Sequence, residues 1–172
     1  MTILFIIIII LLVAADQATK LVMLSWLKPQ GTVELVPGFI RFRFVENEGA
    51  AFSMLKNARW FFIIVTAVCV VLCMVALFSK KAKFKYPSFN SPFLKAAIIL
   101  ICSGGIGNMI DRLFRGKVID FIEPTFVNFA VFNFADILVT CGAAMIIIYL
   151  IADIAFDFGK KRREIREYKK RR

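Results

Sequence analysis

The stretch WFFIIVTAVCVVLCMVALF, residues 60–78, contains nineteen consecutive residues without a charge. About 20 apolar residues in a helix span the hydrocarbon core of a bilayer, so this stretch predicts a transmembrane helix. Three other apolar runs approach that length: residues 3–27, which include a polar patch at 16–20, residues 93–110 and residues 131–152. None of the runs contains proline. The sequence therefore predicts a mainly α-helical integral membrane protein, built as a four-transmembrane-helix bundle.

The composition agrees with a membrane location and limits the chemistry. The chain has 172 residues, enough for one ordinary domain, and 60% of them are apolar, against roughly 45–50% in soluble proteins. It contains no histidine, which excludes HExxH metalloproteases and triads that use histidine. The four cysteines lie in apolar runs without a CxxC pair, and no phosphate-binding glycine motif occurs. No metal site and no cofactor are expected.

The distribution of charge predicts the orientation of the chain. Lys and Arg number 23 against 12 Asp and Glu. Nine basic residues lie in the tail 160–172, and five more lie between residues 80 and 95. Basic segments next to transmembrane helices are typical of cytoplasmic loops, so we expect no binding of nucleic acid. With four spans both termini are then cytoplasmic, and residues 28–59 and about 111–130 lie outside.

Two parts of the chain are expected to differ in structure. Residues 1–158 form a four-span membrane domain, and residues 159–172 form a basic cytoplasmic tail. Within the outer loop 28–59, the alternating segment IRFRF (residues 40–44) follows a Pro37-Gly38 turn signal, which predicts a small extracytoplasmic β-sheet. The first apolar run could be a cleaved signal peptide, but no Lys or Arg precedes it, which favours a retained span.

Polar residues collect at one depth, the outer interface of the predicted bundle. Ionisable groups inside a membrane are costly, and they mark functional sites by default. Random tolerance of polar residues would not place them at a single level. The residues at this level are Asp16, Lys20, Asn108, Asp111, Arg112, Asp120, Asn133 and Asp136.

Asp120 and Asp136 are the candidates for catalysis. They come from separate segments at the same level, and two carboxyl groups that share a dry site do not both ionise easily. One can then act as general base on a water molecule while its protonated partner donates to a substrate carbonyl. This is the chemistry of an aspartic protease. Spacing alone does not show that the two residues approach each other.

Simpler structural roles remain open for several of these residues. Asp16 and Lys20, four apart on one helical face, could be a neutralising ion pair. Asp111 with Arg112 could be an interfacial pair whose long side chain reaches the headgroups. Asn47 could be only a turn residue.

Five segments together resemble one known family, the bacterial lipoprotein signal peptidases (signal peptidase II). They occur in the order found in that family, and with the four spans they cover essentially the whole chain. The segments are DQATK (16–20), NEGAAF (47–52), GNMIDR (107–112), VIDF (118–121) and FNFAD (132–136).

The resemblance implies a function and a role for each motif residue. It implies a membrane-embedded aspartic endopeptidase with Asp120 and Asp136 as its catalytic dyad. The residues expected to bind substrate or support the site are Asn47, Gly49, Asn108, Asp111, Arg112, Asn133, Asp16 and Lys20. The implied substrate is a prolipoprotein whose cysteine carries diacylglycerol, cleaved just before that cysteine. We expect a monomer in the lipid of the bacterial inner membrane, with its active site at the extracytoplasmic interface.

Other classes of protein explain the pattern less well. A transporter or proton channel would spread polar groups through the membrane depth, whereas the cytoplasmic halves of the second and fourth runs are apolar. A non-catalytic assembly factor would explain Asn108 and Asn133 as helix contacts but not a loop aspartate. An aspartyl enzyme of the prepilin-peptidase type would need a GxGD element. A Ser/Lys mechanism would need Ser103 near Lys95, about two turns away.

Overall fold

Four long apolar helices make up most of the chain. The computed structural model describes residues 2–49, 58–79 and 91–170. The helices are α1 (Thr2–Val22), α2 (Arg59–Phe78), α3 (Pro92–Phe114) and α4 (Phe134–Lys170). A wider π-helical turn, Met23–Leu27, extends α1. By length and composition, four helical segments of this described part could cross a membrane, which confirms the predicted architecture.

Helix α3 lies at the centre of the bundle and packs against α1, α2 and α4. Small residues allow the closest of these crossings. A Cβ atom on Gly104 of α3 would overlap the carbonyl oxygen of Ala135, and one on Gly142 of α4 would lie 2.7 Å from the carbonyl oxygen of Ala97. Close approach of backbones at small residues is typical of helix packing in membranes. Glycine is therefore required where α3 and α4 cross.

The bundle turns most of its large apolar side chains outward. A modest buried core, which includes Ile9, Leu77 and Ile98, joins α1, α2 and α3. In contrast, many Ile, Leu, Val and Phe side chains on α1, α2 and α4 are exposed. Such a surface would be unstable in water but is matched by lipid tails.

Three strands form an antiparallel sheet at one end of the bundle. They are β1 (Thr32–Val36), β2 (Ile40–Asn47) and β3 (Val118–Pro124), in the order β1-β2-β3. The turn between β1 and β2 contains Gly38 with φ 73°, a left-handed conformation that glycine adopts without strain. The predicted small sheet is confirmed, and its third strand comes from the second loop at this end of the bundle.

The sheet packs against the end of the first helical segment. A small buried cluster of Leu27, Ile119 and Phe121 holds it there, and the side chains of Phe42 and Phe44 pack against that cluster. The alternation of residues 40–44 therefore separates a buried aromatic face from a face that carries arginine.

The start of the fourth helix differs from the sequence-based expectation. The apolar run begins at residue 131, but α4 begins at Phe134, because Phe132 pairs with Ile122 of β3 as an isolated bridge. Asn133 then caps the helix. Its Oδ1 accepts the backbone N–H of Asp136 at 3.1 Å, and Asp136 Oδ2 accepts the backbone N–H of Asn133 at 3.0 Å. This reciprocal pair is a capping box, and it places Asp136 in the first turn of α4.

Two predicted features lie partly or wholly outside the described residues. They are the last three positions of the NEGAAF segment, residues 50–52, and most of the basic loop between the second and third spans, residues 80–90. Helix α4 itself continues without interruption past residue 159, into the segment predicted as a basic tail.

Candidate active site

The fold brings Asp120 and Asp136 to one cavity. Asp120 lies in the buried first half of β3 and is 2% exposed, whereas Asp136 is half-buried at the start of α4. Both line a cavity of about 590 Å³ between α2, α3, α4 and the segment 129–132. The sequence placed them at the same depth, and the structure joins them through a shared partner, Asn133.

Asp120 accepts hydrogen bonds from two amide groups. Asn133 Nδ2 donates to Oδ1 at 2.6 Å, and Asn47 Nδ2 donates to Oδ2 at 2.8 Å. The second bond follows from strand pairing, because β2 and β3 place Val45 opposite Asp120. Asn47 is thus more than a turn residue, although its Oδ1 also accepts the backbone N–H of Gly49, at 2.9 Å.

Asp136 is held in the same manner. Asn108 Nδ2, from α3, donates to Oδ1 at 2.7 Å, and the capping box supplies the bond to Oδ2. Asn133 Nδ2 also lies 3.2 Å from Asn108 Oδ1. All four carboxylate oxygens of the two aspartates therefore receive N–H donors, and these bonds order both groups.

The surroundings of Asp120 favour its protonated form. Burial is the larger cause and the negative charge of Asp136 is the second, and together they raise the pKa of Asp120 to about 7. The hydrogen bonds from Asn47 and Asn133 and the positive charge of Lys20 oppose this shift without cancelling it. Near neutral pH, Asp120 can therefore hold or release a proton, which is the property required of a general acid.

A buried ionic cluster lies behind the carboxylates. Lys20 Nζ is 2.9 Å from Asp16 Oδ2 and 3.0 Å from Asp111 Oδ2, and all three side chains are completely buried. The predicted ion pair of Asp16 and Lys20 is present, and it extends to α3. Asp16 Oδ1 also accepts the backbone N–H of Ala135 at 3.0 Å, which ties α1 to the start of α4.

The interpretation of Asp111 and Arg112 as an interfacial pair is wrong. Asp111 is fully buried and pairs with Lys20 and with Arg115 one helical turn later. The Arg112 guanidinium lies over the Phe62 ring, 5.0 Å from its centre. Arg112 Nη2 donates to the carbonyl oxygen of Gly49 at 3.1 Å, and Arg112 also lines the cavity. Asp111 and Arg112 are therefore adjacent in sequence but point in different directions: Asp111 joins the buried ionic cluster, and Arg112 borders the cavity.

Two residues of this cluster were missed by the sequence analysis. Arg115 Nη1 donates to Asp111 Oδ1 and, at 3.1 Å, to Gln17 Oε1. Gln17 Nε2 donates to Asp16 Oδ2 at 3.1 Å and to the carbonyl oxygen of Gly107 at 3.1 Å. A glutamine inside an apolar span and an arginine four residues after Asp111 were the signals that could have identified them.

Most of the cavity wall is apolar. Phe62 and Thr66 of α2, Ile137 and Val139 of α4 and Phe129 line it beside the polar residues. Within the described ranges, no three Cys, Asp or Glu side chains are grouped as a metal site would require. The arrangement can order a water molecule beside two carboxyl groups and can accommodate an apolar chain next to them.

Sequence comparisons identify relatives over most of the chain. A profile described as signal peptidase (SPase) II matches residues 8–152. A lipoprotein signal peptidase of Symbiobacterium thermophilum is 37% identical over 147 residues, which cover 83% of this chain and 90% of that protein. One of Streptococcus pyogenes serotype M5 is 38% identical over 147 residues, covering 86% of this chain and 92% of that protein.

Solved structures agree with the sequence comparisons. A bacterial membrane enzyme solved by the in meso method superposes with a TM-score of 0.76 at 32% identity, covering 87% of this chain and 88% of that chain. A second such structure gives a TM-score of 0.73 at 32% identity, covering 87% and 93%. The bundle and its sheet are therefore the fold of a known membrane enzyme.

Proposed function

We propose, on the premise that the chain belongs to the signal peptidase II family, that Asp120 and Asp136 are its catalytic dyad. Membership confirms the resemblance drawn from the five motifs. The protein is a peptidase of the aspartic type that removes signal peptides from prolipoproteins, and it spans the inner membrane several times.

The observation that carries the proposal is the shared hydrogen-bonded cavity of the two carboxyl groups. Asn133 bonds to both, and burial keeps the pKa of Asp120 near 7. At pH values below that, Asp120 carries a proton that it can donate, and Asp136 is assigned as the base beside it. Such a pair supplies an acid and a base in one site.

The reaction then proceeds through a tetrahedral intermediate. Asp136 takes a proton from a bound water as the water oxygen attacks the scissile carbonyl carbon, and Asp120 gives its proton to the carbonyl oxygen. In the second half, Asp120 takes a proton back from the resulting hydroxyl group while Asp136 gives its proton to the leaving nitrogen. The C–N bond breaks, and both carboxyl groups return to their starting state.

The proposed substrate is a prolipoprotein whose cysteine carries diacylglycerol, cleaved on the amino side of that cysteine. The apolar walls around Phe62, Phe129 and Val139 suit acyl chains or an apolar signal sequence. The dyad lies where the helices meet the sheet, so the scissile bond can reach polar groups while the acyl chains stay in lipid.

The other motif residues are proposed to support the site. Asn47, Asn108 and Asn133 hold the two carboxyl groups, and Gly49 and Arg112 border the cavity on the substrate side. Asp16, Lys20 and Asp111 hold α1, α3 and α4 together behind the dyad.

We also propose the domain boundaries of the chain, its orientation in the membrane and its oligomeric state. Residues 1–158 form the protease domain and residues 159–172 a basic cytoplasmic tail, because the densest Lys and Arg segments favour the cytoplasmic side. Both termini are then inside, and the site opens at the extracytoplasmic interface. The exposed apolar faces suit contact with membrane lipid by a monomer, and the reaction requires no cofactor and no nucleic acid.

Cleavage of a defined precursor tests the proposal. Purified protein in detergent is given a diacylglyceryl-modified precursor and, separately, the unmodified form. We expect cleavage of the modified form alone. Asp120→Asn and Asp136→Asn should each lower the rate by roughly 10²–10⁴-fold, the usual contribution of a general acid or base. Asp153→Asn, at an exposed position of α4, is the matched control and should cleave normally.

Two outcomes would contradict the proposal. If either dyad variant is folded and cleaves at the wild-type rate, that residue is structural and the assignment of the dyad is wrong. If wild-type protein leaves a verified lipid-modified precursor intact, the assigned substrate is wrong.

A further inference from the structure

Each asparagine side chain around the dyad directs its NH₂ group toward a carboxyl group of the dyad. Asn47 Oδ1 accepts the backbone N–H of Gly49, and Asn133 Oδ1 accepts the backbone N–H of Asp136. An amide whose oxygen is occupied by a donor directs its NH₂ group to the other side. In both residues that side faces a carboxylate. The orientation of these two amides is therefore set locally, by backbone groups two or three residues away.

Asn108 differs, because a side chain from another helix sets its orientation. Lys20 Nζ donates to Asn108 Oδ1 at 2.8 Å, across 88 residues of sequence. Asn108 Nδ2 is thereby directed to Asp136 Oδ1, at 2.7 Å. An ammonium group donates and never accepts, so only the carbonyl side of Asn108 can face it.

Lys20 is itself held without freedom to move. Its ammonium group has three N–H donors, and the three acceptors are Asn108 Oδ1, Asp16 Oδ2 and Asp111 Oδ2, all within 3.0 Å. Arg115 is the second cation of the cluster, so two carboxylates and two cations balance. A buried charge is tolerated when it is paired and fully hydrogen-bonded.

We propose that Lys20 is a positioning residue: it fixes the Asn108 amide with its NH₂ group toward Asp136, and so holds Asp136 in place as the general base of the dyad. This inference rests on the proposed dyad. If the amide turned over, its oxygen would face an Asp136 oxygen, and two acceptors repel unless one of them carries a proton. The proton would then be drawn to the wrong carboxyl group.

The charged groups that act on the dyad come from α1 and α3. Helix α1 contributes Lys20, and α3 contributes Arg112, which interacts electrostatically with both dyad carboxyl groups. Strand β2 contributes the Asn47 amide, while its Glu46 pairs with lysines on the sheet. The described part of α2 presents Phe62 and Thr66 to the cavity.

Three variants separate the effect of Lys20 on the orientation of the Asn108 amide from the effect of its charge and from its effect on protein stability. Asp16→Asn alone keeps Lys20 beside Asn108. Lys20→Met with Asp16→Asn removes one charge of each sign, so Asp111 and Arg115 remain balanced. Lys20→Gln with Asp16→Asn also removes the charge, but its amide NH₂ can still donate to Asn108 Oδ1. For each variant, kcat per folded enzyme, the pH dependence of kcat/KM and the Tm in detergent are measured.

The double variant with Met should lose kcat by roughly 10- to 100-fold relative to Asp16→Asn, because misplacement of a reacting group by about 1 Å costs about 100-fold. The double variant with Gln should recover most of that loss. In both, the alkaline limb of the pH profile should move upward by on the order of one pH unit, because the positive charge of Lys20 lowers the pKa of Asp120.

Equal kcat in the Met and Gln double variants would overturn the inference, because a Lys20 that acts only through its charge or through stability is lost equally in both. Failure of the dyad itself would be seen separately, as activity retained in Asp120→Asn.

Discussion

Replacing Asp120 by Asn should lower the cleavage rate by roughly 10²–10⁴-fold and, above neutral pH, make the folded protein more stable. The pKa of Asp120 is raised by burial from 3.8 to about 7. Between these values the folded protein holds a proton that the unfolded chain has released. The stability of the wild type therefore falls as the pH rises through this window, and the whole penalty is present above pH 7.

The size of the stability difference follows from the pKa shift of Asp120 and from the hydrogen bonds that its carboxyl group accepts. One pKa unit corresponds to about 1.4 kcal/mol, so ionisation of Asp120 costs about 4 kcal/mol above pH 7. Asparagine avoids this cost, but it cannot accept from both Asn47 Nδ2 and Asn133 Nδ2, and one unsatisfied donor costs about 1–3 kcal/mol. The variant should be more stable by about 1–3 kcal/mol at pH 8 and less stable by a similar amount at pH 4.

Thermal unfolding in one detergent at pH 4, 6 and 8 measures this difference, at roughly 2–4 °C per kcal/mol for a chain of this size. Asp153→Asn is the matched control, and its difference from wild type should stay within about 0.5 kcal/mol at each pH. A difference between Asp120→Asn and wild type that is the same at pH 4 and pH 8 would refute the reasoning, because Asp120 would then titrate as an ordinary carboxyl group.

Three further outcomes are expected. First, kcat/KM should fall as the pH rises through about 7, because Asp120 then loses the proton that it donates; a rate still rising from pH 7 to 9 would count against this assignment. Second, Gly142→Val should lower Tm strongly, because its Cβ would lie 2.7 Å from the Ala97 carbonyl oxygen. The control Gly159→Ala meets nothing within 4 Å and should be neutral or slightly stabilising. Equal changes in Tm would mean that the crossing of α3 and α4 can relax. Third, EDTA should leave the rate unchanged because the dyad needs no metal ion, and inhibition that added metal reverses would contradict the mechanism.

The features that could be predicted are those encoded by nearby residues. The helix Arg59–Phe78 was expected because an uncharged run of that length has few other stable conformations in lipid. The turn at Gly38 was expected because a Pro-Gly pair favours a turn, and the glycine adopts the left-handed conformation there. The start of α4 was misplaced by three residues, because the apolar character of Val131 and Phe132 does not reveal that this segment pairs with β3.

Tertiary structure was needed wherever a role depends on a partner far along the chain. Asp111 and Arg112 are adjacent, yet one is buried against Lys20 and the other lies over Phe62. Gln17 lies within the DQATK segment and Arg115 lies outside the five motifs, and only the packing of α1 on α3 brings the two side chains together.

By itself, the sequence determined the four spans, the small sheet, the family and the identity of the two candidate carboxyl groups. Hydropathy and turn preference are sums over neighbouring residues, and the motifs are strings of residue types, so each can be read without a fold. The structure alone decided that Asp120 is the more deeply buried carboxyl group, that Asn133 joins it to Asp136 and that Lys20 turns the Asn108 amide. Those properties depend on distances of about 3 Å between atoms of residues up to 88 positions apart in the sequence, and such distances exist only once the helices and the sheet have packed.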